Sequence, residues 1–243
     1  MTKNIFRSVK SCTAALLLTA VLFSSCKKDD NNSDDTAITE EEAAEVISEG
    51  VSNPSGGFAE QTVGATVIAS KTYVPCGQRS DTLIGGQSLP GAAISFSYRI
   101  EVARELTCIG FLPEMYSFSY KGSNTYDGPR MSSDDKTTAA FNITGLMPTA
   151  PGFILNQSYE RTGTQQTKIG RKRSFTSTLK FNSTAIVVDK ISQKISSGTA
   201  AVEFTGKVSS GREFNYGATI TFHGNNTATL LFKNGTKVEL AWQ

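Results

Sequence analysis

Apolar and polar residues alternate along the chain from about residue 92 to its end. Between residues 94 and 102 every second residue is apolar, and the residues between them are polar or charged. Such strict alternation is typical of β-strands that bury one face and leave the other in water, as in antiparallel sheets. The same period of two recurs in residues 116–120, 141–143, 153–159, 175–181, 202–208, 214–222, 228–232 and 238–242.

Turn-like sequences separate these segments. They include residues 209–211 (SSG), 224–226 (GNN) and 234–235 (NG), of which Asn-Gly is a good hairpin signal. We therefore predict an all-β body of about ten antiparallel strands that follow one another as a meander. The common apolar face can be buried in a two-layer sandwich or in an open or closed barrel, and the pattern leaves these alternatives open.

One short helix is expected before this body. Thr39 and Glu42 have the spacing of a capping box, which favours a helix start near Glu40. The apolar residues that follow recur at helical spacing, and Asn-Pro and Gly-Gly pairs end the pattern after residue 52. We predict the helix over residues 40–52.

The first 25 residues have the layout of a secretory signal peptide. Three cations precede a nearly continuous apolar run at 14–23, and Ser24 and Ser25 follow it. The run is about half of the ~20 apolar residues that a membrane-spanning helix needs.

The residues around Cys26 resemble the signal of a Bacteroidota lipoprotein. In that family a cysteine after small residues is lipidated and becomes the first mature residue, and Lys28, Asp29 and Asp30 resemble the lysine-acid signal for export to the cell surface. "SGGF" at 55–58 and "DKISQKISSGTAAVEFTG" at 189–206 are also similar to lipoproteins of this group that have no assigned activity. The resemblance implies an outer-membrane protein that is anchored by lipid and faces the cell exterior.

This reading divides the chain into three parts. Residues 1–25 are the signal peptide, and residues 26–36 are the lipidated cysteine and a flexible acidic tether that lacks the apolar residues needed for folding. Residues 37–243 are expected to form a single β-rich domain that includes the helix.

Charge is unevenly distributed along the mature chain. Residues 27–53 carry a net charge of −7, whereas residues 54–243 carry +6. A mildly basic body suits an anionic partner such as lipopolysaccharide or an acidic glycan, but the charge is too low and too scattered to indicate nucleic-acid binding.

The cysteines predict one disulfide. With Cys12 removed and Cys26 lipidated, Cys76 and Cys108 remain in a chain that is destined for an oxidising compartment. Closing a loop of about 30 residues should stabilise the fold by roughly 3–4 kcal/mol.

Few residues suggest catalysis. His223 is the only histidine, it falls on the solvated face by strand parity, and no serine-hydrolase, metalloprotease or nucleotide-binding motif occurs. A glycosidase needs only two carboxylates, but alternation places Glu101, Glu203 and Glu213 outward. We expect no enzyme, no cofactor and no metal site.

Two polar segments interrupt the body. Residues 124–136 contain Asp127, Asp134 and Asp135, and we interpret this segment as an exposed loop, with calcium binding as the less favoured alternative.

Residues 167–173 form the second of these segments and hold a basic cluster at an expected hairpin. We take it as a candidate anion contact, formed by Lys168, Arg171, Lys172 and Arg173. Thr36 and Thr82 lie in Asp-Thr-apolar tripeptides that resemble the sites Bacteroidota glycosylate at oxygen.

Three functions fit these observations. The first is a lipid-anchored binding or interaction module for an anionic glycan, lipopolysaccharide or an outer-membrane protein complex. The second is a carrier of a lipid or small apolar ligand in a barrel lumen, and the third is a carboxylate-dependent glycosidase. A cavity between the apolar faces would favour the carrier.

The lipidation hypothesis can be tested directly. Replacing Cys26 by alanine removes the only thiol at the predicted processing site. Cys26→Ala should therefore leave the precursor uncleaved there and unlabelled by a fatty-acid probe that labels the unchanged protein. Equal labelling of both proteins would contradict the predicted anchor.

Overall fold

The computed structural model describes residues 37–52, 56–71, 75–168 and 172–242. Residues 36–243 form one compact unit. Several residues singled out in the sequence lie outside the described parts of the chain, namely Cys26, Lys28, Asp29, Asp30, Thr36 and Arg171.

The described chain consists of two helices followed by ten strands. The helices are α1 (Glu40–Ser52) and α2 (Phe58–Lys71). The strands are β1 (Arg79–Gln87), β2 (Ser95–Ile109), β3 (Leu112–Asp127), β4 (Met131–Thr144), β5 (Gly152–Thr167), β6 (Ser174–Asp189), β7 (Ile195–Val208), β8 (Glu213–Gly224), β9 (Thr227–Phe232) and β10 (Lys237–Ala241).

The strands confirm the predicted antiparallel meander. All ten belong to one sheet, and their order in the sheet is their order in the sequence, from β1 to β10. The sheet is not closed, since the pairings of the described strands do not join β1 to β10. Of the arrangements left open by the sequence, the closed barrel is therefore not formed.

The first helix begins where the capping box predicts. The Thr39 backbone N–H donates to the Glu42 carboxylate at 2.8 Å, and the Glu42 N–H donates to the Thr39 hydroxyl at 3.2 Å. These reciprocal bonds satisfy two of the donors that a helix start leaves free.

The second helix corrects the expectation of a single helix. The sequence of this region shows no alternation that would predict a strand. Its helix signal is also weak, because Thr62, Gly64 and Thr66 reduce both the helix propensity and the apolar stripe of α2. Tertiary packing compensates for this weakness. Its buried residues are Phe58, Ala59, Gln61, Thr62, Ala65 and Thr66.

The two helices pack against the inner face of the sheet. The Phe58 ring stacks on Phe222 with 5.8 Å between ring centroids, and it also contacts Phe181 at 5.2 Å and Tyr159 at 6.2 Å. Gly50 in α1 lies directly against Leu179, where a larger residue would collide. The helices thus pack on part of the apolar face of the sheet, and their buried residues belong to the same core as those of the strands.

The predicted disulfide is confirmed. Cys76, which follows α2, is bonded to Cys108 near the end of β2, with their Cα atoms 5.7 Å apart. The Gly77 N–H also donates to the Leu106 carbonyl at 2.8 Å, so the segment before β1 is tied to β2.

Among the residues that the structure describes, no helix combines the length and the apolar character needed to cross a membrane.

The contribution of Phe58 can be measured by truncation. Phe58 is fully buried, so Phe58→Ala should lower the free energy of unfolding by about 3–5 kcal/mol. Phe111 is 100% exposed at the β2–β3 turn, and Phe111→Ala should change it by less than about 0.5 kcal/mol. Urea unfolding of both variants tests this. Equal destabilisation by the two changes would contradict the packing of α2 in the core.

Candidate functional site

Polar side chains interrupt the apolar inner face of the sheet. They lie on β3 to β6, on the side that faces the helices, and little of their surface reaches solvent. This set comprises Asn124, Ser133, Asp135, Thr137, Gln157, Arg161, Gln165, Ser177 and Ser183.

Arg161 is the centre of this polar set. Its side chain is 2% exposed, and its Nε donates to the Asp135 carboxylate at 2.6 Å. Its Nη2 donates to both carboxylate oxygens of Glu49 at 3.1 Å and to the Ser133 hydroxyl at 2.6 Å. The guanidinium therefore bridges α1, β4 and β5.

Strand register brings these residues together. Thr137 pairs with Arg161, and Asp135 pairs with Gly163, so Asp135 and Arg161 are diagonal neighbours on one face. A Cβ atom at residue 163 would collide with Asp135, and glycine at this position leaves the carboxylate its space.

The network extends along the sheet beyond the ion pairs. Gln165 donates to the second oxygen of Asp135 at 2.6 Å, and Ser177 donates to Gln165 at 2.7 Å. Burial alone would lower the pKa of Arg161, but the carboxylates of Glu49 and Asp135 outweigh it and raise this pKa above the usual range. Arg161 is therefore a permanent cation that holds two buried carboxylates.

A cleft of about 710 Å³ lies beside the helices, and Glu49 contributes to its wall. Its lining comes from both helices, the segment before β2, strands β3 and β4, the β6–β7 and β8–β9 turns, and the end of β10 with the residue after it. The residues are Glu45, Ser48, Glu49, Ser52, Ala59, Glu60, Val63, Ile94, Tyr126, Met131, Ser192, Gln193, Lys194, Asn226, Ala241 and Trp242.

Charges in the cleft are partly compensated. Glu45 is paired with Arg130 at 2.6 Å, and Glu49 is paired with Arg161. Glu60 has no ion pair with any residue described, and desolvation raises the pKa of its carboxyl group. Burial also raises the pKa of Tyr126, with a further contribution from Glu49.

Apolar and aromatic groups share the cleft with these polar groups. Trp242, the only tryptophan of the chain, packs edge-on against Phe222 at 6.1 Å, and its backbone N–H donates to the Asn226 carbonyl at 3.0 Å. Val63 and Ile94 add aliphatic surface. Such mixed walls are usual in sites that bind small molecules.

The structure places two of the four predicted anion-contact residues in contacts within the protein. Lys168 forms an ion pair with Asp127. Arg173 lies 3.8 Å from the Glu42 carboxylate and donates to the Ala37 carbonyl. Lys172 is exposed in the β5–β6 turn. The charges of Lys168 and Arg173 are thus partly compensated by neighbouring carboxylates.

His223 is exposed on the solvated face, as its position in the alternation predicts. Its Nε2 lies 2.7 Å from the Thr229 hydroxyl, which donates to Glu239 at 2.9 Å. In a catalytic triad the histidine lies between the acid and the nucleophile. Here the threonine occupies that middle position, so the arrangement does not match a triad.

The interpretation of residues 124–136 as a loop is wrong for most of this segment. It forms the end of β3 and the start of β4, and Asp135 is 1% exposed on the inner face. Asp127 and Asp134 are exposed on the other side. No group of three or more potential metal-ligating side chains occurs among the described residues.

The other predicted acids are found on the outside. Glu101, Glu203 and Glu213 are exposed, and none of them lines the cleft. Thr82 is exposed on β1.

Sequence reasoning missed the residues of the cleft and of the buried network. Glu49 is one of several acids in the predicted helix 40–52, and the sequence predicted Asp135 to lie in a loop. The available signal was Arg161, which follows the alternating segment 153–159 at the next inward position, since a buried cation requires partners.

Comparisons of this chain with protein-family models, with curated proteins and with solved structures found no match.

The ionic network generates a stability prediction. Arg161→Met leaves two buried carboxylates without their cation, so it should cost about 3–5 kcal/mol in the free energy of unfolding. The matched control is Arg79→Met, because the Arg79–Asp81 pair is 66% and 68% exposed and should contribute less than about 1 kcal/mol. Urea unfolding of both variants decides this. A similar, small loss in both would show that the buried ion pairs contribute little.

Proposed function

We propose that this chain is a non-catalytic binding module, held at the outer membrane by lipid on Cys26, and that its ligand occupies the cleft beside α1 and α2. The observation that carries this proposal is the cleft itself. It has a volume of about 710 Å³ and is lined by residues of both helices, of the strands and of the turns between them. Small-molecule sites commonly have volumes of ~300–1,000 Å³.

The lining indicates the chemistry of the ligand. Trp242 and Val63 offer apolar contact, whereas Ser48, Gln193 and Asn226 offer hydrogen-bonding groups. A molecule with both apolar surface and several polar groups fits this combination. Sugars and amphiphiles have this character, and both agree with a protein exposed at the surface of a bacterial envelope.

The basic hairpin gives weaker support to an anionic partner than its sequence suggested. Lys168 and Arg173 are engaged by Asp127 and Glu42, so Lys172 is the exposed cation among its described members. We keep it as a secondary contact at most and place the principal site in the cleft.

A carrier of apolar ligands remains the second candidate, in an altered form. Phe58 and its aromatic neighbours fill the inner face, so a carried ligand would lie in the cleft instead of a central lumen. The aliphatic and aromatic groups of the cleft favour this candidate, but no observation favours the glycosidase.

Trp242 provides both a reporter and a test. Because it is the only tryptophan and lines the cleft, a ligand bound there should change the intrinsic fluorescence. The protein would be residues 27–243, which include the whole compact unit, titrated with a glycan panel and with single-chain amphiphiles.

Trp242→Ala should weaken binding of the identified ligand about tenfold or more, as measured by calorimetry, because aromatic anchors contribute strongly to binding. Phe111→Ala is the control, since this ring is fully exposed and does not line the cleft. Ligand binding that is unchanged by Trp242→Ala would place the site elsewhere and contradict the proposal.

A further inference from the structure

The inner face of the sheet holds a second arginine, whose hydrogen-bond and ion-pair partners differ from those of Arg161. Arg104 lies on β2 between the buried Val102 and Leu106, on the same face as both. Its side chain is half-buried, its Nε is buried without a hydrogen-bond partner among the described residues, and it forms no ion pair with a described carboxylate. Every carboxylate contact that stabilises Arg161 is thus missing at Arg104.

A buried hydroxyl without a partner lies next to it. Tyr120 on β3 is 3% exposed, its ring packs against Phe141 at 4.9 Å, and its hydroxyl makes no hydrogen bond to any described residue. Val102 pairs with Tyr120 in the register of β2 and β3. Arg104 is therefore the diagonal neighbour of Tyr120 on the inner face.

Glu60 connects this pair to the cleft. Its side chain is in the cleft wall, beside Ala59 and Val63 of the same helix. Burial raises the pKa of the Tyr120 hydroxyl; the Arg104 charge lowers it, and the Glu60 charge raises it again. Neither Arg104 nor Tyr120 belongs to the lining of the cleft, so a ligand group that reaches them extends beyond that lining.

Unpartnered groups of this kind are uncommon, because buried polar atoms in folded proteins nearly always find hydrogen-bond partners. The unpartnered atoms in the described parts of the chain are Gln61 Oε1, Arg104 Nε, Tyr120 Oη, Gln157 Nε2 and Ser183 Oγ. Only Arg104 carries a charge. Its Nε–H and the Tyr120 O–H are both donors, and the high pKa of Tyr120 keeps its proton in place.

Two donors, one of them charged, match a group with two acceptor oxygens. We propose that Arg104 and Tyr120 form an oxyanion site beside the α2 wall of the cleft, which binds a carboxylate or phosphate group of the ligand. The apolar part of that ligand then lies along Val63 and Trp242. This inference rests on the proposed cleft function and adds the charge of the ligand to it.

The oxyanion can be the carboxylate of a fatty acid or of a sugar acid. Two matched pairs of ligands distinguish these sources. Dodecanoate is compared with dodecanol, and a glucuronate disaccharide with its glucose analogue. Each is titrated into residues 27–243 and followed by Trp242 fluorescence and calorimetry. The acid of one pair should bind about 10- to 100-fold tighter than its neutral partner, as expected for hydrogen bonds to a charged group.

Variants then assign this preference to the site. Arg104→Met should remove the preference for the acid and leave the affinity for the neutral partner unchanged. Arg99→Met is the matched control, since Arg99 lies exposed on the opposite face of β2. Tyr120→Phe removes only the hydroxyl and should weaken acid binding about fivefold. Glu60→Gln should strengthen acid binding about two- to fivefold, because it removes a like charge from the cleft wall.

The outcomes distinguish the two proposals. Equal affinity for acid and neutral ligand, or a preference for acid that survives both Arg104→Met and Tyr120→Phe, overturns the oxyanion site but leaves the cleft as a binding site. If Arg104→Met does not fold, Tyr120→Phe and Glu60→Gln decide the matter, because opposite changes in acid affinity support the site and unchanged affinity overturns it. Failure of all four ligands to bind counts against both proposals.

Discussion

The buried guanidinium of Arg161 is the interaction on which the arrangement of helices and sheet depends. A cation that is 2% exposed is tolerable only with paired carboxylates, and these come from Asp135 on β4 and Glu49 on α1. Apolar contacts such as those of Phe58 are non-directional and would allow α1 to slide or rotate at small cost. The Arg161–Glu49 contact has no such freedom, so we infer that it fixes the orientation of α1 on the sheet.

That orientation also determines the cleft. Glu49 turns toward Arg161, and Glu45, Ser48 and Ser52, which lie on the neighbouring surface of the helix, form one wall of the cleft. Glu45 is held in turn by Arg130 from the β3–β4 turn. The sheet is not closed, and residues of both helices line the cleft.

Sequence patterns predicted the elements whose two faces differ in polarity. Alternation located most strands, and Thr39 with Glu42 located the start of α1. The start of β4 was read as loop because Ser133, Asp135 and Thr137 point inward, so that both faces are polar. Arg161, the ion-pair partner of Asp135, lies 26 residues after it, and no sequence spacing reveals that contact. The cleft depends on the same long-range contacts and on α2, which explains why its residues could not be predicted.

The two inner arginines obey different physical constraints. Arg161 is reached by α1, which supplies the carboxylate that makes its burial tolerable, whereas the only acid of α2, Glu60, forms no ion pair with Arg104. An apolar residue like Val102 or Leu106 would fill the position of Arg104 without leaving a donor unsatisfied. Local departures from such rules are expected at functional sites. Arg104 is half-buried and its Nε has no partner among the described residues, so this donor is the departure that the proposed oxyanion site would account for.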